Sequence, residues 1–278
     1  FEYPKNVRVK YTTFADIRKK IQCQFDFDIT LDKPYKLCDY RPMYGVVFAD
    51  YLSEYEFWGF CDVDMIFGHI SAFITENVLD SYDKIGFRGH LTLLRNNEKC
   101  NQFFMTQMPA ICVDYRYAFT TPYCCHFDEH EMWADVTKKL GIREWREEYF
   151  ADIDCNHYAF RLMYGGREKK VRQLFEYKKG DLIRYYLKND ILERDEWCYI
   201  HLQKRCMENQ VEESDSYLIT PSAFIPHENI TEKLVRQYSK DKKIYLWRKK
   251  QRIKEILKNI KNGALAYRLH IYLKQRKR

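Results

Sequence analysis

The segment Trp58-Gly59-Phe60-Cys61-Asp62-Val63-Asp64-Met65-Ile66-Phe67-Gly68 sets two carboxylates into a near-continuous apolar run. Along a β-strand, residues two apart project to the same side. Asp62 and Asp64 are therefore expected to point together, with Val63 packed on the opposite face. Two carboxylates side by side at the end of a buried strand repel each other. A divalent cation relieves that repulsion, and a diphosphate completes its coordination shell. The chemistry suggested is a metal–nucleotide site. The blander reading is a strand end running into a solvated turn, because a D-x-D pair by itself occurs often by chance.

Other residue patterns narrow the choice. Phosphatases of the haloacid-dehalogenase type also end a strand with Asp-x-Asp, but their motif continues with Gly-Thr where Met65-Ile66 stands here. A phosphohydrolase with Asp62 as nucleophile is thus a third reading. A second pair, Asp152-Ile153-Asp154, follows the charged stretch Arg146-Glu147-Glu148. No buried strand is expected to lead into it, and it reads as a loop, structural or substrate-facing rather than metal-binding. A zincin motif fails around His126 and His130, because position 127 is Phe and not Glu. The ten cysteines include no C-x-x-C pair, which argues against a zinc ribbon. Scattered thiols, including vicinal Cys124-Cys125, read as small buried hydrophobes in a reduced compartment, hence cytoplasmic.

The elements that must position these residues follow from composition and periodicity. A chain of 278 residues with 46% hydrophobic and 17% aromatic residues can bury a substantial core, which excludes a disordered or low-complexity chain. With 10 Gly and 7 Pro, no Gly-rich phosphate cradle stands out. Alternation predicts a strand at 7–11, and Thr13 is a suitable N-cap for a helix over 14–21. Helical spacing covers 35–52, 129–140 and 143–148; strands are expected at 57–66, 85–94, 175–177, 182–187 and 198–202. Alternating strand and helix signals predict an α/β fold. No run of about 18 apolar residues predicts a membrane span, and no signal peptide is expected from the opening residues. The opening at Phe1 reads as mid-domain.

Charge is unevenly distributed. Residues 240–278 hold 15 Lys or Arg against 2 Asp or Glu, a net of +13, so 1–239 carry −6 of the chain's total of +7. The tail repeats Ile253, Ile256-Leu257, Ile260, Ala264-Leu265 and Leu269 at helical spacing among basic residues. A basic amphipathic helix suits an anionic membrane surface or a docking partner, or packs on the domain with a solvated charged face. Nucleic acid is a less suitable partner, because the body is acidic.

Several strings together resemble a bacterial family of GT-A-like glycosyltransferases often encoded with capsule or surface-polysaccharide genes. They are Lys33 to Gly45, Tyr55 to Gly68, Gly89-His-Leu-Thr-Leu-Leu-Arg-Asn96, Phe127-Asp-Glu129, Ala151-Asp-Ile153 and Tyr199-Ile-His-Leu-Gln-Lys-Arg205. The resemblance implies a GT-A-like, Rossmann-like catalytic domain over 1–225, lacking the usual first strand–helix–strand unit, and a basic helical extension over 226–278. It implies a nucleotide-diphospho-sugar donor, usually uridine-linked, Mn²⁺ or Mg²⁺, and a glycan or lipid-linked acceptor, with the protein cytoplasmic or peripheral at the inner membrane face. Asp62, Asp64 and, as in glycogenin-type transferases, His201 would hold the metal, with Asp62 also touching the ribose or a metal-bound water. Lys204 would grip the diphosphate, and Lys36, Asp39 and Arg41 would hold the donor. Gly89 and His90 would wall the sugar pocket. Asp128 or Glu129 would take the acceptor proton or orient the acceptor. Each has a plainer alternative: a surface ion pair for Lys36–Asp39, a hydrogen-bonded interior imidazole for His201, a strand start for Gly89, helix-terminal acids for Asp128 and Glu129. A non-catalytic glycan- or partner-binding protein on a degenerate GT-A scaffold is the competing function.

Overall fold

A computed structural model describes residues 3–108, 113–129, 132–164, 168–212 and 214–240, with scattered positions between 252 and 273. Its strands are β1 (Phe57–Cys61), β2 (Met65–Phe67), β3 (Lys84–Ile85), β4 (Leu91–Arg95), β5 (Glu144–Trp145), β6 (Phe150–Asp152) and β7 (Gln173–Lys178). They continue with β8 (Asp181–Lys188), β9 (Ile191–Glu196), β10 (Tyr199–His201), β11 (Glu208–Asn209), β12 (Ser216–Ile219) and β13 (Ala223–Pro226). With nine α-helices and three 3₁₀ helices among the described residues between Phe14 and Tyr238, the fold is mixed α/β. It divides into two units that interleave along the chain. One is Phe1–Phe60, Asp83–Glu144 and His270–Arg278; the other is Cys61–Tyr82 and Trp145–Leu269.

The first unit starts with the helix Phe14–Gln22. Thr13 caps it by accepting from the backbone N–H of Asp16 at 3.1 Å, as its side chain predicts. The helical stretch expected over 35–52 is broken into a 3₁₀ helix, Pro34–Met43, and two short helices, Tyr44–Val47 and Ala49–Leu52. Pro42 lies inside it and lacks the N–H that a continuous α-helix needs there. A four-stranded sheet runs in the order β1-β4-β3-β5. Its core is strongly aromatic: Tyr40 stacks on Phe119, which meets Phe127 edge-on, and Phe127 in turn meets Trp133. These rings are buried, and each contributes roughly 1.5–3 kcal/mol through the apolar area removed from water.

The second unit holds two sheets. A three-stranded sheet has the order β2-β10-β6, with β10 antiparallel to β2 and parallel to β6. β6 and most of β10 are buried and β2 is partly buried, with Ile66, Ala151 and Ile200 packed in one apolar cluster. Gly68 lets β2 close on β10: a Cβ there would stand 2.8 Å from the Trp197 carbonyl oxygen, where its own N–H bonds the Cys198 carbonyl at 2.7 Å. The six-stranded sheet, β11-β13-β12-β7-β8-β9, packs Phe175, Leu182 and Ile219 with Trp197 and Ile200 in one apolar cluster. The helix Glu232–Tyr238, expected to belong to the extension, buries Leu234 and Val235 in a second cluster of this unit.

Several expectations change. Residues 7–11 form no strand and lie exposed, with no partner strand among the described residues. The segment 143–148 is not helical but contributes β5 and an extended run. The run 57–66 is two strands in two different sheets, with a bend at Asp62–Asp64 between them. The run 85–94 is likewise the antiparallel pair β3 and β4. Of the nine described cysteines only Cys100 and Cys198 are buried, and Cys23, Cys61 and Cys206 are exposed; all nine are free thiols. The basic tail lies largely outside the described residues. Those described from 252 onward are helical, with Ile253, Leu257 and Leu269 exposed. Among the described residues no helix is long and apolar enough to cross a membrane.

Candidate metal centre

Asp62 and Asp64 come together by a route different from strand alternation. The chain leaves β1, bends through Asp62-Val63-Asp64 and enters β2. Val63 packs on nothing and is 100% exposed at the tip of the bend. The bend is fastened to β10 by the N–H of Leu202, which donates to the Asp64 carbonyl at 3.0 Å. That bond ends the β2–β10 ladder, in which His201 stands opposite Met65. His201 thereby faces both acids: its Nε2 lies 3.4 Å from Asp64 Oδ1 and 3.6 Å from Asp62 Oδ2.

One potential ligand atom from each of Asp62, Asp64 and His201 falls within 4.8 Å of the others. Two ligand atoms held about 2.1 Å from one ion at a right angle stand roughly 3 Å apart. The observed separations need only small side-chain movements to meet that geometry. Two carboxylates and an imidazole make a mixed oxygen–nitrogen donor set, which suits Mn²⁺ and, less well, Mg²⁺. Burial pulls the His201 pKa down, but the carboxylates of Asp152, Asp64 and Asp62 outweigh it and the net shift is upward. A cation at this position would replace the ring's second proton as the partner of the two acids.

Asp152 was expected in a loop, yet it ends the buried strand β6. Its Oδ1 meets His201 Nδ1 at 2.9 Å and accepts from Gln203 Nε2 at 2.8 Å. The signal that reveals it is Tyr149-Phe150-Ala151, the apolar triplet between the charged stretch and Asp152. Lys204 lies in the exposed turn after β10, with no ion pair or hydrogen bond among the described residues.

The remaining candidates lie in the first unit. Lys36 and Asp39 are not a surface pair. They are 5% and 0% exposed, and their ion pair is 2.6 Å long. Lys36 Nζ also donates to the carbonyls of Ala118, at 2.6 Å, and Tyr123. Asp39 accepts from the backbone N–H groups of Cys125 and Phe127. All three ammonium protons have an acceptor, so this pair anchors the 118–127 segment rather than presenting charge to a ligand. Arg41 donates from Nη1 to Asp128 Oδ2 at 2.8 Å and to the Gly89 carbonyl at 3.1 Å. A Cβ on Gly89 would stand 3.0 Å from Asp128 Oδ2 and 3.0 Å from Glu129 Cβ, so the space its missing side chain leaves is taken by those two acids. His90 is buried just ahead of β4.

Asp128 is 8% exposed, and its Oδ1 has no hydrogen-bond partner among the described residues. Burial raises its pKa to about 7, against the opposing pull of Arg41. Glu129 is more open and pairs with His126 at 3.0 Å, an interaction that raises the imidazole pKa against the opposing effect of burial.

Fold and site together define a mixed α/β protein with an acid–acid–imidazole cluster suited to a divalent cation. The chain belongs to DUF6625, a family of unknown function, which matches residues 1–228. No curated protein and no solved structure matches it.

Proposed function

We propose that this chain is a metal-dependent glycosyltransferase of GT-A-like architecture. It would move a sugar from a nucleotide-diphospho-sugar, uridine-linked by the resemblance above, to a glycan or lipid-linked acceptor in surface-polysaccharide synthesis. The observation that carries this reading is the approach of ligand atoms of Asp62, Asp64 and His201 to within 4.8 Å of one another beside the paired strands β2 and β10. Bound there, Mn²⁺ or Mg²⁺ would neutralise charge growing on the departing diphosphate. Lys204, whose ammonium is exposed beyond His201, is the second cation assigned to the diphosphate.

In the transfer, the acceptor oxygen bonds to the anomeric carbon as the bond between that carbon and the diphosphate oxygen breaks. The nucleoside diphosphate leaves, and the acceptor's proton goes to a carboxylate. Asp128 is assigned that role on its chemistry alone: a buried carboxylate with an oxygen unpaired among the described residues and a pKa of about 7 suits proton exchange at neutral pH. The basic 240–278 tail would favour an anionic membrane bearing a lipid-linked acceptor.

One observation favours the second reading, a non-catalytic binding protein on the same scaffold. Lys36 and Asp39, assigned above to the donor, are consumed inside the first unit. Calorimetry with uridine diphosphate, with and without Mn²⁺, separates the readings, followed by a panel of nucleotide sugars assayed for hydrolysis. Metal-dependent binding lost in Asp64→Asn, together with turnover, supports the transferase. Binding without turnover of any sugar favours the scaffold. Absence of both binding and turnover removes the nucleotide-sugar reading.

A further inference from the structure

We infer that Asp152 is a positioning residue for the metal centre: it holds His201 in the tautomer and orientation that aim Nε2 at Asp62 and Asp64, and Gln203 holds Asp152 in turn. The inference rests on the proposed metal site but is argued from separate atoms. β10 runs parallel to β6 in a register that sets His201 directly across from Asp152. The ring lies between two sets of carboxylates. Its Nδ1 meets Asp152 Oδ1 at 2.9 Å, and its Nε2 meets Asp64 and Asp62 at 3.4 and 3.6 Å.

A neutral imidazole has one N–H and one lone pair. A carboxylate can only accept, so Asp152 places the proton on Nδ1 and leaves the lone pair on Nε2, the atom nearest the two ligand acids. The same bond stops the ring from rotating and raises the basicity of the coordinating nitrogen.

Asp152 is itself held from two directions. It is 4% exposed at the end of β6, and Gln203 Nε2 donates to the same Oδ1 at 2.8 Å. Gln203 reaches it from a backbone at φ 52°, the left-handed region that a residue other than glycine enters at a cost. The turn after β10 thus adopts an unfavourable conformation that directs an amide at Asp152. Gln203 Nε2 also approaches Met163 Sδ at 3.0 Å, which fixes the plane of the amide.

The test measures the ring directly as well as the metal. In the metal-free protein, at a pH where His201 is neutral, ¹⁵N-labelled histidine NMR should report the Nδ1–H tautomer. Asp152→Ala should shift the population to Nε2–H, the form favoured by free imidazole. Mn²⁺ affinity, followed by electron paramagnetic resonance, should fall about 10–100-fold in Asp152→Ala. It should fall less in Asp152→Asn, whose carbonyl still accepts from Nδ1–H. Gln203→Ala should cost a few-fold alone and nothing further in the Asp152→Ala background, because Gln203 acts through Asp152. An unchanged tautomer in Asp152→Ala, or additive effects of the two substitutions, would overturn the inference. Should Asp152→Ala fail to fold, Asp152→Asn and Gln203→Ala carry the same comparison. Should the wild-type protein bind no divalent cation, the metal reading falls, while the tautomer measurement still decides the role of Asp152.

Discussion

Two charged clusters, one in each unit, differ in how completely the protein satisfies them. In the first unit Lys36 and Asp39 form a buried pair whose polar atoms are taken by each other and by four backbone groups of the segment 118–127. In the second, Asp62 and Asp64 face the His201 imidazole, and Asp64 remains partly open to solvent. A buried charge pair with every donor and acceptor matched is structural, since any exchange of partners leaves an ion stranded at low dielectric. Like charges gathered near the surface around an imidazole, with Asp64 open to solvent, can still take up a cation. Both clusters combine a cation-forming group with acids, so residue type alone does not separate them; saturation does.

The sharpest way to break this contrast is Asp39→Ala. It leaves the Lys36 ammonium buried without its counter-charge and frees two backbone N–H groups, so a loss of about 3–5 kcal/mol is expected in denaturant unfolding. Asp64→Asn should leave the unfolding midpoint of the metal-free protein unchanged or slightly raised, since it relieves repulsion. Comparable losses in the two variants would erase the distinction.

Asp128 lies between the two cases, because one oxygen is bound to Arg41 and the other has no hydrogen-bond partner among the described residues. The folded state keeps its proton up to about pH 7, whereas the ordinary carboxyl value is 3.8. Between those values the unfolded chain binds fewer protons, so stability falls as pH rises from about 4 to 7 and levels off above. The slope from this group is at most about 1.4 kcal/mol per pH unit. Asp128→Asn should flatten that slope in unfolding curves measured across the window; an unchanged slope would mean that Asp128 is ionised throughout.

Mn²⁺ provides the next comparison. At a hundred times its dissociation constant, a cation that binds only the folded state adds about 2.7 kcal/mol. Thermal unfolding with and without Mn²⁺ should show that gain in the wild type and in Asp128→Asn, and lose it in Asp64→Asn. Retention of the gain in Asp64→Asn would place the ion elsewhere. The smallest effect is expected of Gly89→Ala, whose Cβ would press on Asp128 Oδ2 and Glu129 Cβ at 3.0 Å. About 1–2 kcal/mol of destabilisation should follow, with no change in Mn²⁺ response. A change in that response would link Gly89 to the metal.

Much of the local structure was legible. The Thr13 cap, the strands within 173–188 and the short strand at His201 follow from side-chain chemistry and periodicity over a few residues. Asp62, Asp64 and His201 were legible as candidates because two acids in an apolar run and a late histidine are unusual. The reason given for the acids' convergence, strand alternation, was not the one realised; a bend delivers them instead, and Val63 at its tip is bare. The strand expected at 7–11 failed because alternation describes half of a pairing, and among the described residues no strand pairs with it.

The sequence by itself determined which groups were available: an acidic body, a basic tail, a paired-aspartate motif and a mixed α/β alternation. These depend on residue type and on neighbours within a turn or two. Tertiary structure decided which groups meet. Asp152 reaches His201, 49 positions away, only because the parallel register of β6 and β10 sets them side by side. Lys36 became an internal clamp rather than a ligand for phosphate because the carbonyls of Ala118 and Tyr123 close over it. Hydrogen bonds and low dielectric act through distances of a few ångströms, and those distances are set by strand register and core packing between segments far apart in the chain.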